Sequence, residues 1–128
     1  MNSDAESLIN TRTLQRLKAS MEGIPGGFGR ILDVYLEEAP RLWQRLIAAV
    51  ELGDVANIRL YAHSLKSQCA SMGAEQLARQ FGDIEAHAKA EASGGWAVYL
   101  EQAGPLFDAV LKRLGQEREQ SAPGTSDA

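Results

Sequence analysis

Apolar residues recur at three- and four-residue spacing over most of the chain, and this period constrains the fold more than any other feature. It is longest between Phe28 and Val50, where one stripe of the segment is apolar, as on the buried face of an α-helix. Strand-like alternation is scarce, and most glycines stand between helical segments. The pattern predicts five helices, at residues 11–20, 28–52, 55–72, 74–92 and 96–115.

The connections between these segments are short, which makes neighbouring helices antiparallel. The sequence therefore predicts an all-α fold, an up-and-down antiparallel four-helix bundle with an additional short N-terminal helix. We expect residues 11–115 to form the bundle, residues 1–10 a flexible N-terminus and residues 116–128 a polar, disordered tail. Proline disrupts helices, so Pro40 and Gly104-Pro105 predict a kink or local break in the second and fifth helices.

Composition excludes several functional classes. The chain has 128 residues, 45% of them hydrophobic and 23% charged, with a formal net charge of −4, so it lacks the basic surface of a nucleic-acid binder. It also lacks the apolar run of a membrane span and the features of a signal peptide. The single cysteine, Cys69, lies on an apolar stripe, which indicates a small buried hydrophobe and a cytoplasmic protein.

One histidine, His63, lies on the polar side of the third predicted helix. At 100° per residue, the stripe opposite it is apolar, and the residues within about 40° of it are small. The small ones are Ala56, Ser67, Ala70 and Ala74, and the opposite stripe is Ile58, Tyr61, Leu65, Cys69 and Met72. Lys66 follows at i+3, within side-chain reach. Spacing alone leaves two interpretations open, a solvated surface histidine or a nucleophilic imidazole presented to a large partner.

The motif around this histidine resembles that of histidine-containing phosphotransfer (HPt) domains. It comprises Ala62-His63-Ser64-Leu65-Lys66-Ser67, then Met72-Gly73-Ala74-Glu75-Gln76-Leu77, then Ile84-Glu85. The resemblance implies a histidine phosphotransfer protein that accepts a phosphoryl group from a receiver-domain aspartate and relays it to another response regulator. It implies that His63 is the phospho-acceptor, that Lys66 stabilises phosphoryl charge and that Glu85 orients the imidazole. Supporting roles fall to Ser67, Gly73 and Lys89.

The resemblance also implies the partners, which are response regulator receiver domains and a hybrid sensor histidine kinase. We expect no nucleic acid or membrane partner, no intrinsically bound cofactor or metal, Mg²⁺ supplied by the partner receiver, and a monomer. The natural-looking N-terminus favours a free-standing protein. Candidate docking residues are Leu14, Ile24, Phe28 and Ile31.

Alternatives remain open at this point. Glu85 could simply pair with Lys89 at i+4 on the surface, and His87 could serve the dipole at a helix C-terminus. The chain could be a non-catalytic helical-bundle adaptor that binds a receiver or kinase domain without phosphotransfer. An autophosphorylating kinase would need a nucleotide site, but the chain has no P-loop, so we expect a phosphocarrier without autokinase activity.

Overall fold

The computed structural model describes residues 8–90 and 94–121, which form five helices and, within those ranges, no strand. The helices are α1 (Thr11–Ser20), α2 (Gly27–Leu52), α3 (Val55–Ser71), α4 (Glu75–Lys89) and α5 (Trp96–Ser121). Helices α2 to α5 form a ring in which each packs against two neighbours, α2 closing the ring on α5, and α1 contacts α3. This confirms the all-α bundle with its extra N-terminal helix.

Local chemistry determines where the helix that carries His63 begins. Gly53 ends α2 in the left-handed region, with φ of +69°, where glycine has no steric penalty. The Asp54 side chain then accepts a hydrogen bond from the backbone N–H of Asn57 and caps α3. A connection of two residues therefore makes α2 and α3 antiparallel neighbours.

The two prolines do not interrupt their helices. Helix α2 continues through Pro40 and α5 through Pro105, which rules out a local break, while the predicted kink or bend stays a prediction. Ala39 and Ala103 lie nearby in the core, and tertiary packing of the apolar stripe supplies most of the stability of a helix in a protein. Each proline removes only one backbone donor, and the helix has buried residues both before and after the proline.

The last helix is longer than predicted, since α5 reaches Ser121 rather than residue 115. The guanidinium of Arg118 donates two hydrogen bonds to the Asp33 carboxylate of α2, and these hold the polar end of α5 on the bundle. Residues 122–128 of the predicted tail lie outside the described residues. So do residues 1–7 of the predicted flexible N-terminus, whereas Ile9 belongs to the core.

The interior of the bundle is apolar and continuous. Phe81 and Phe107 pack edge to face with ring centroids 6.2 Å apart, and Trp43 packs against both. Cys69 is a buried free thiol, as predicted, and its sulfur lies 3.4 Å from the hydroxyl oxygen of Tyr35. Among the described helices, none combines the length and the apolar composition that a membrane span needs.

Candidate functional site

The apolar stripe of α3 determines where His63 points. Of the predicted stripe, Ile58, Leu65 and Cys69 are fully buried and Met72 is buried, whereas Tyr61 is only half-buried. Ala62, which was not predicted, is also fully buried. The opposite side of α3 therefore faces solvent, and the side chain of His63 is 58% exposed. Because His63 lies in the middle of a packed helix, its backbone position is fixed while its ring remains accessible.

A carboxylate from the neighbouring helix holds the imidazole. Nδ1 of His63 lies 2.9 Å from Oε2 of Glu85 on α4. Glu85 is only 6% exposed, and it is the one charged residue buried in the described part of the chain. Its other oxygen, Oε1, accepts a hydrogen bond of 2.7 Å from the ammonium of Lys66. One carboxylate thus binds both side chains that α3 contributes.

The ionised Glu85 carboxylate determines which ring nitrogen of His63 donates to it. The hydrogen bond from Lys66 is the largest cause that lowers the pKa of the Glu85 carboxyl, burial opposes it, and the hydrogen bond with His63 adds to it. An ionised carboxylate can only accept hydrogen bonds, so Nδ1 of His63 carries the proton. In the neutral ring the lone pair is therefore on Nε2, which makes no hydrogen bond to any residue within 8–90 or 94–121. The site therefore presents an oriented imidazole to solvent.

Small side chains surround the ring, as the wheel predicts, with one exception. Ala56, Ser67 and Ala70 are exposed on the face of His63. Ala74 is fully buried instead, because α3 ends at Ser71 and the chain reverses at Gly73, whose φ is +86°. The helical wheel does not apply beyond that turn.

Lys89 and His87 do not join the site. Lys89 is an exposed residue at the end of α4, and both oxygens of Glu85 already bind His63 and Lys66. Within the described ranges the surface pair of Glu85 with Lys89 is therefore not formed. His87 instead hydrogen-bonds through Nε2 to the carbonyl of Gly94 and packs edge to face on Trp96 at 4.6 Å, so it links α4 to α5.

Two of the proposed docking residues belong to the interior. Leu14 and Phe28 are buried, because α1 and the start of α2 bury their apolar faces in the same core. Ile24 is exposed. Ile31 is half-buried and lines a groove of about 280 Å³ between α2 and α3.

Sequence reasoning missed two exposed apolar residues, Leu60 on α3 and Val34 on α2. Leu60 lies one turn before His63 and is 55% exposed; Val34 lines the groove beside Ile31 and is 54% exposed. The signal was present in the sequence, because both interrupt the polar side of an amphipathic helix. The groove also includes Ser71, which is eight residues and thus about 12 Å along α3 from His63.

An antiparallel helical bundle with one exposed, carboxylate-bound imidazole is the architecture of a histidine phosphotransfer protein. In agreement, the family described as the Hpt domain matches residues 30–119. The chain is also similar to the crystal structure of histidine-containing phosphotransfer protein B from Pseudomonas aeruginosa, with 26% identity and a TM-score of 0.80 over 88% of this chain and 96% of that chain. No match was found among curated proteins.

The chain belongs to the Hpt domain family, since the match covers most of its length. It is a histidine phosphotransfer protein of phosphorelays. Hpt domains interact with the receiver domains of response regulators and with kinases.

Proposed function

We propose that His63 is the phospho-acceptor, which takes a phosphoryl group from the aspartate of one receiver domain and passes it to that of another response regulator. The observation that carries this proposal is the hydrogen bond from Nδ1 to Glu85, since it leaves the lone pair of Nε2 exposed. Phosphoryl transfer depends mainly on positioning and on charge stabilisation. A ring oriented on a rigid helix, among small side chains, meets the first requirement.

The proposed transfer step needs no separate base. The lone pair of Nε2 attacks phosphorus in line with the aspartyl leaving group, the N–P bond forms, and the P–O bond electrons leave with the aspartate carboxylate. His63 keeps its Nδ1 proton, so the phosphorylated ring is an imidazolium. The buried carboxylate of Glu85 stabilises that positive charge at a separation of 2.9 Å. Transfer to the next aspartate is the reverse of this step.

Lys66 and the partner supply the remaining charge stabilisation in this proposal. A phosphoryl group brings about −1.5 to −2 charges, and the ammonium of Lys66 is bound to the same carboxylate as the acceptor ring, from where it can donate to phosphoryl oxygens. Ser67 leaves room for a close approach, and Lys89 contributes only to the general potential. We assign Mg²⁺ to the receiver, because both oxygens of Glu85 are already occupied by hydrogen-bond donors.

We further propose that the receiver docks on Leu60, Val34 and the groove next to them. Leu60 lies one turn from His63 on α3, Val34 lines the groove between α2 and α3, and burying their apolar surface favours association. A hybrid sensor kinase is the expected origin of the phosphoryl group. We expect the protein to act as a monomer in the cytoplasm, where the buried thiol of Cys69 remains reduced.

The test is phosphotransfer from a panel of labelled phospho-receiver domains, with Mg²⁺, to the wild-type chain, to His63→Gln and to His87→Gln. We expect label on the wild type and on His87→Gln and none on His63→Gln. The label should be stable to alkali and labile to acid, as a phosphoramidate is. Label that persists on His63→Gln would refute the proposal.

Absence of label on a folded wild type would favour the adaptor. A binding assay with the same receiver panel then separates the remaining cases, because an adaptor binds a receiver and tolerates His63→Gln.

A further inference from the structure

Lys66 reaches Glu85 by crossing α4 at Gly82. A Cβ atom built on Gly82 would lie 3.3 Å from Cδ of Lys66, which is closer than carbon atoms pack at their optimal separation of about 3.5–4.0 Å. Glu85 follows Gly82 at i+3 and therefore lies on the same side of α4. The stem of Lys66 thus rests on Gly82, and its ammonium is 2.7 Å from Oε1 of Glu85.

The backbone conformation of Gly82 gives no reason for a glycine at this position. The described glycines with positive φ are Gly26, Gly53, Gly73 and Gly95. Gly82 lies inside α4 instead, where glycine is less stable than alanine by about 1 kcal/mol. What distinguishes the position is the missing side chain, and Lys66 is the neighbour that a side chain there would displace.

An internal glycine does not always mark such a contact, and this gives a control. Gly115 lies inside α5, and a Cβ atom there would meet nothing within 4 Å. The same substitutions at Gly115 and Gly82 therefore change helix propensity alike. Only those at Gly82 enter the path of Lys66.

We propose that Gly82 is a positioning residue, which leaves open the path by which Lys66 reaches Glu85 and stays beside His63. Lys66 has a flexible stem, but it is restrained at two points, by the helix surface at Gly82 and by the carboxylate at its end. Alanine at Gly82 displaces the stem by a few tenths of an ångström. Leucine fills the groove that Lys66, Arg79 and Gly82 line and blocks the path. The part of this inference that concerns phosphotransfer rests on the proposed function.

The first test measures the pKa of the Glu85 carboxyl by ¹³C NMR titration. The proteins compared are the wild type, Gly82→Ala, Gly82→Leu, Gly115→Ala, Gly115→Leu and Lys66→Met. Because Lys66 lowers the pKa of this carboxyl, Lys66→Met defines the full upward shift. We expect at least half of that shift in Gly82→Leu, a smaller one in Gly82→Ala and none in the Gly115 variants. This readout requires no phosphorylation, so it decides the role of Gly82 even if His63 accepts no label.

The second test measures the rate of label transfer from a phospho-receiver to the same variants. Gly82→Leu should slow transfer in the same direction as Lys66→Met, by at least half of that fold-change. Adding Gly82→Leu to Lys66→Met should produce no further loss, since the side chain it displaces has lost its charge. The Gly115 variants should transfer like the wild type.

A folded Gly82→Leu whose Glu85 titrates as in the wild type would overturn the proposal. If Gly82→Leu does not fold, Gly82→Ala decides, since alanine favours the helix and introduces the Cβ atom that meets Lys66. An unchanged Glu85 titration in that variant would equally overturn the proposal. The proposal would also be overturned if Gly82→Leu slowed transfer by the same factor in the wild type and in Lys66→Met.

Discussion

At the residue scale, Glu85 links the ring of His63 to the ammonium of Lys66 through one buried carboxylate. The sequence motif predicted that Glu85 would be near His63, since the two residues match positions of the family motif. It did not predict that Lys66 would bind Glu85 rather than point freely at the ring. That arrangement depends on the spacing of α3 and α4 and on the missing side chain at Gly82, which no helical wheel contains.

Replacing Glu85 by glutamine should change the pH dependence of stability. A carboxyl whose pKa is lowered by folding, as that of Glu85 is, stabilises the fold above its unfolded pKa, and this contribution is lost as pH falls through the folded pKa. Glu85→Gln should therefore lower the free energy of unfolding at pH 7 by about 1 kcal/mol, since Lys66 is partly exposed. The difference should shrink below about pH 4.

Urea unfolding of both proteins from pH 3 to pH 8 measures this effect. A difference that stays constant over the whole range would show that the charge of Glu85 is not the cause.

Cys69 and Tyr35 form the buried polar contact that the sequence did not reveal. Burial raises the pKa of Cys69 to about 11, against the opposing effect of the hydrogen bond with Tyr35, and burial also raises the pKa of Tyr35. The sequence indicated a buried thiol. Its partner lies 34 residues away on α2, and only the packing of α2 on α3 brings the two together.

The raised pKa of Cys69 predicts a loss of stability at alkaline pH. The folded protein keeps the thiol proton while the unfolded chain loses it above about pH 8.5, so stability falls as pH rises from there towards the folded pKa. Between pH 8 and pH 10 the wild type should lose about 1–2 kcal/mol. Cys69→Ala should lose clearly less over the same interval.

Guanidinium unfolding at pH 8, 9 and 10 compares the two slopes. Equal slopes would place the titrating group elsewhere, for example at Tyr35.

At the element scale, helix types and order followed from the apolar period, and the errors came from tertiary contacts. The residues from 116 onward have no apolar stripe, so the sequence predicts an end near residue 115. Helix α5 continues because Arg118 binds Asp33, a contact between residues 85 positions apart. Helices α2 and α5 continue through Pro40 and Pro105 because tertiary packing before and after each proline outweighs one lost backbone hydrogen bond.

The turn between α3 and α4 sets the register of His63 against Glu85, and Gly73 controls it. Its φ is +86°, and a Cβ atom there would lie 2.8 Å from the carbonyl oxygen of Asn10. Gly73→Ala should therefore destabilise the protein by about 2 kcal/mol or more, from backbone strain plus this contact. Gly53→Ala is the matched control, because Gly53 has a φ of +69° and open space around it, and it should cost only about 1 kcal/mol.

Thermal and urea unfolding of the two variants decide the point. Equal losses would mean that the N-terminal segment gives way to the new methyl group and does not hold the turn.

At the scale of the whole molecule, the bundle exposes Val34, which lines the groove between α2 and α3. If receivers dock there, Val34→Asp should slow transfer about tenfold, since it places a charge in an interface that would bury a valine. Stability should change by no more than about 0.5 kcal/mol at such an exposed position. Val98→Asp on α5 is the control, with 57% of Val98 exposed, and it should transfer normally.

Equal effects of Val34→Asp and Val98→Asp on the transfer rate would argue against docking in this groove. Transfer rates measured at several receiver concentrations distinguish weaker docking from a slower chemical step. A saturating concentration of receiver restores the rate only if docking is weaker.

The most direct test of the account is to identify the phosphorylated nitrogen. The hydrogen bond from Nδ1 to the carboxylate of Glu85 leaves Nε2 as the only nucleophilic nitrogen of His63. After transfer from a receiver, ¹⁵N and ³¹P NMR of the labelled protein should therefore show one phosphoramidate, at Nε2 of His63. Phosphate at Nδ1, or at His87, would contradict the geometry on which the proposed mechanism depends.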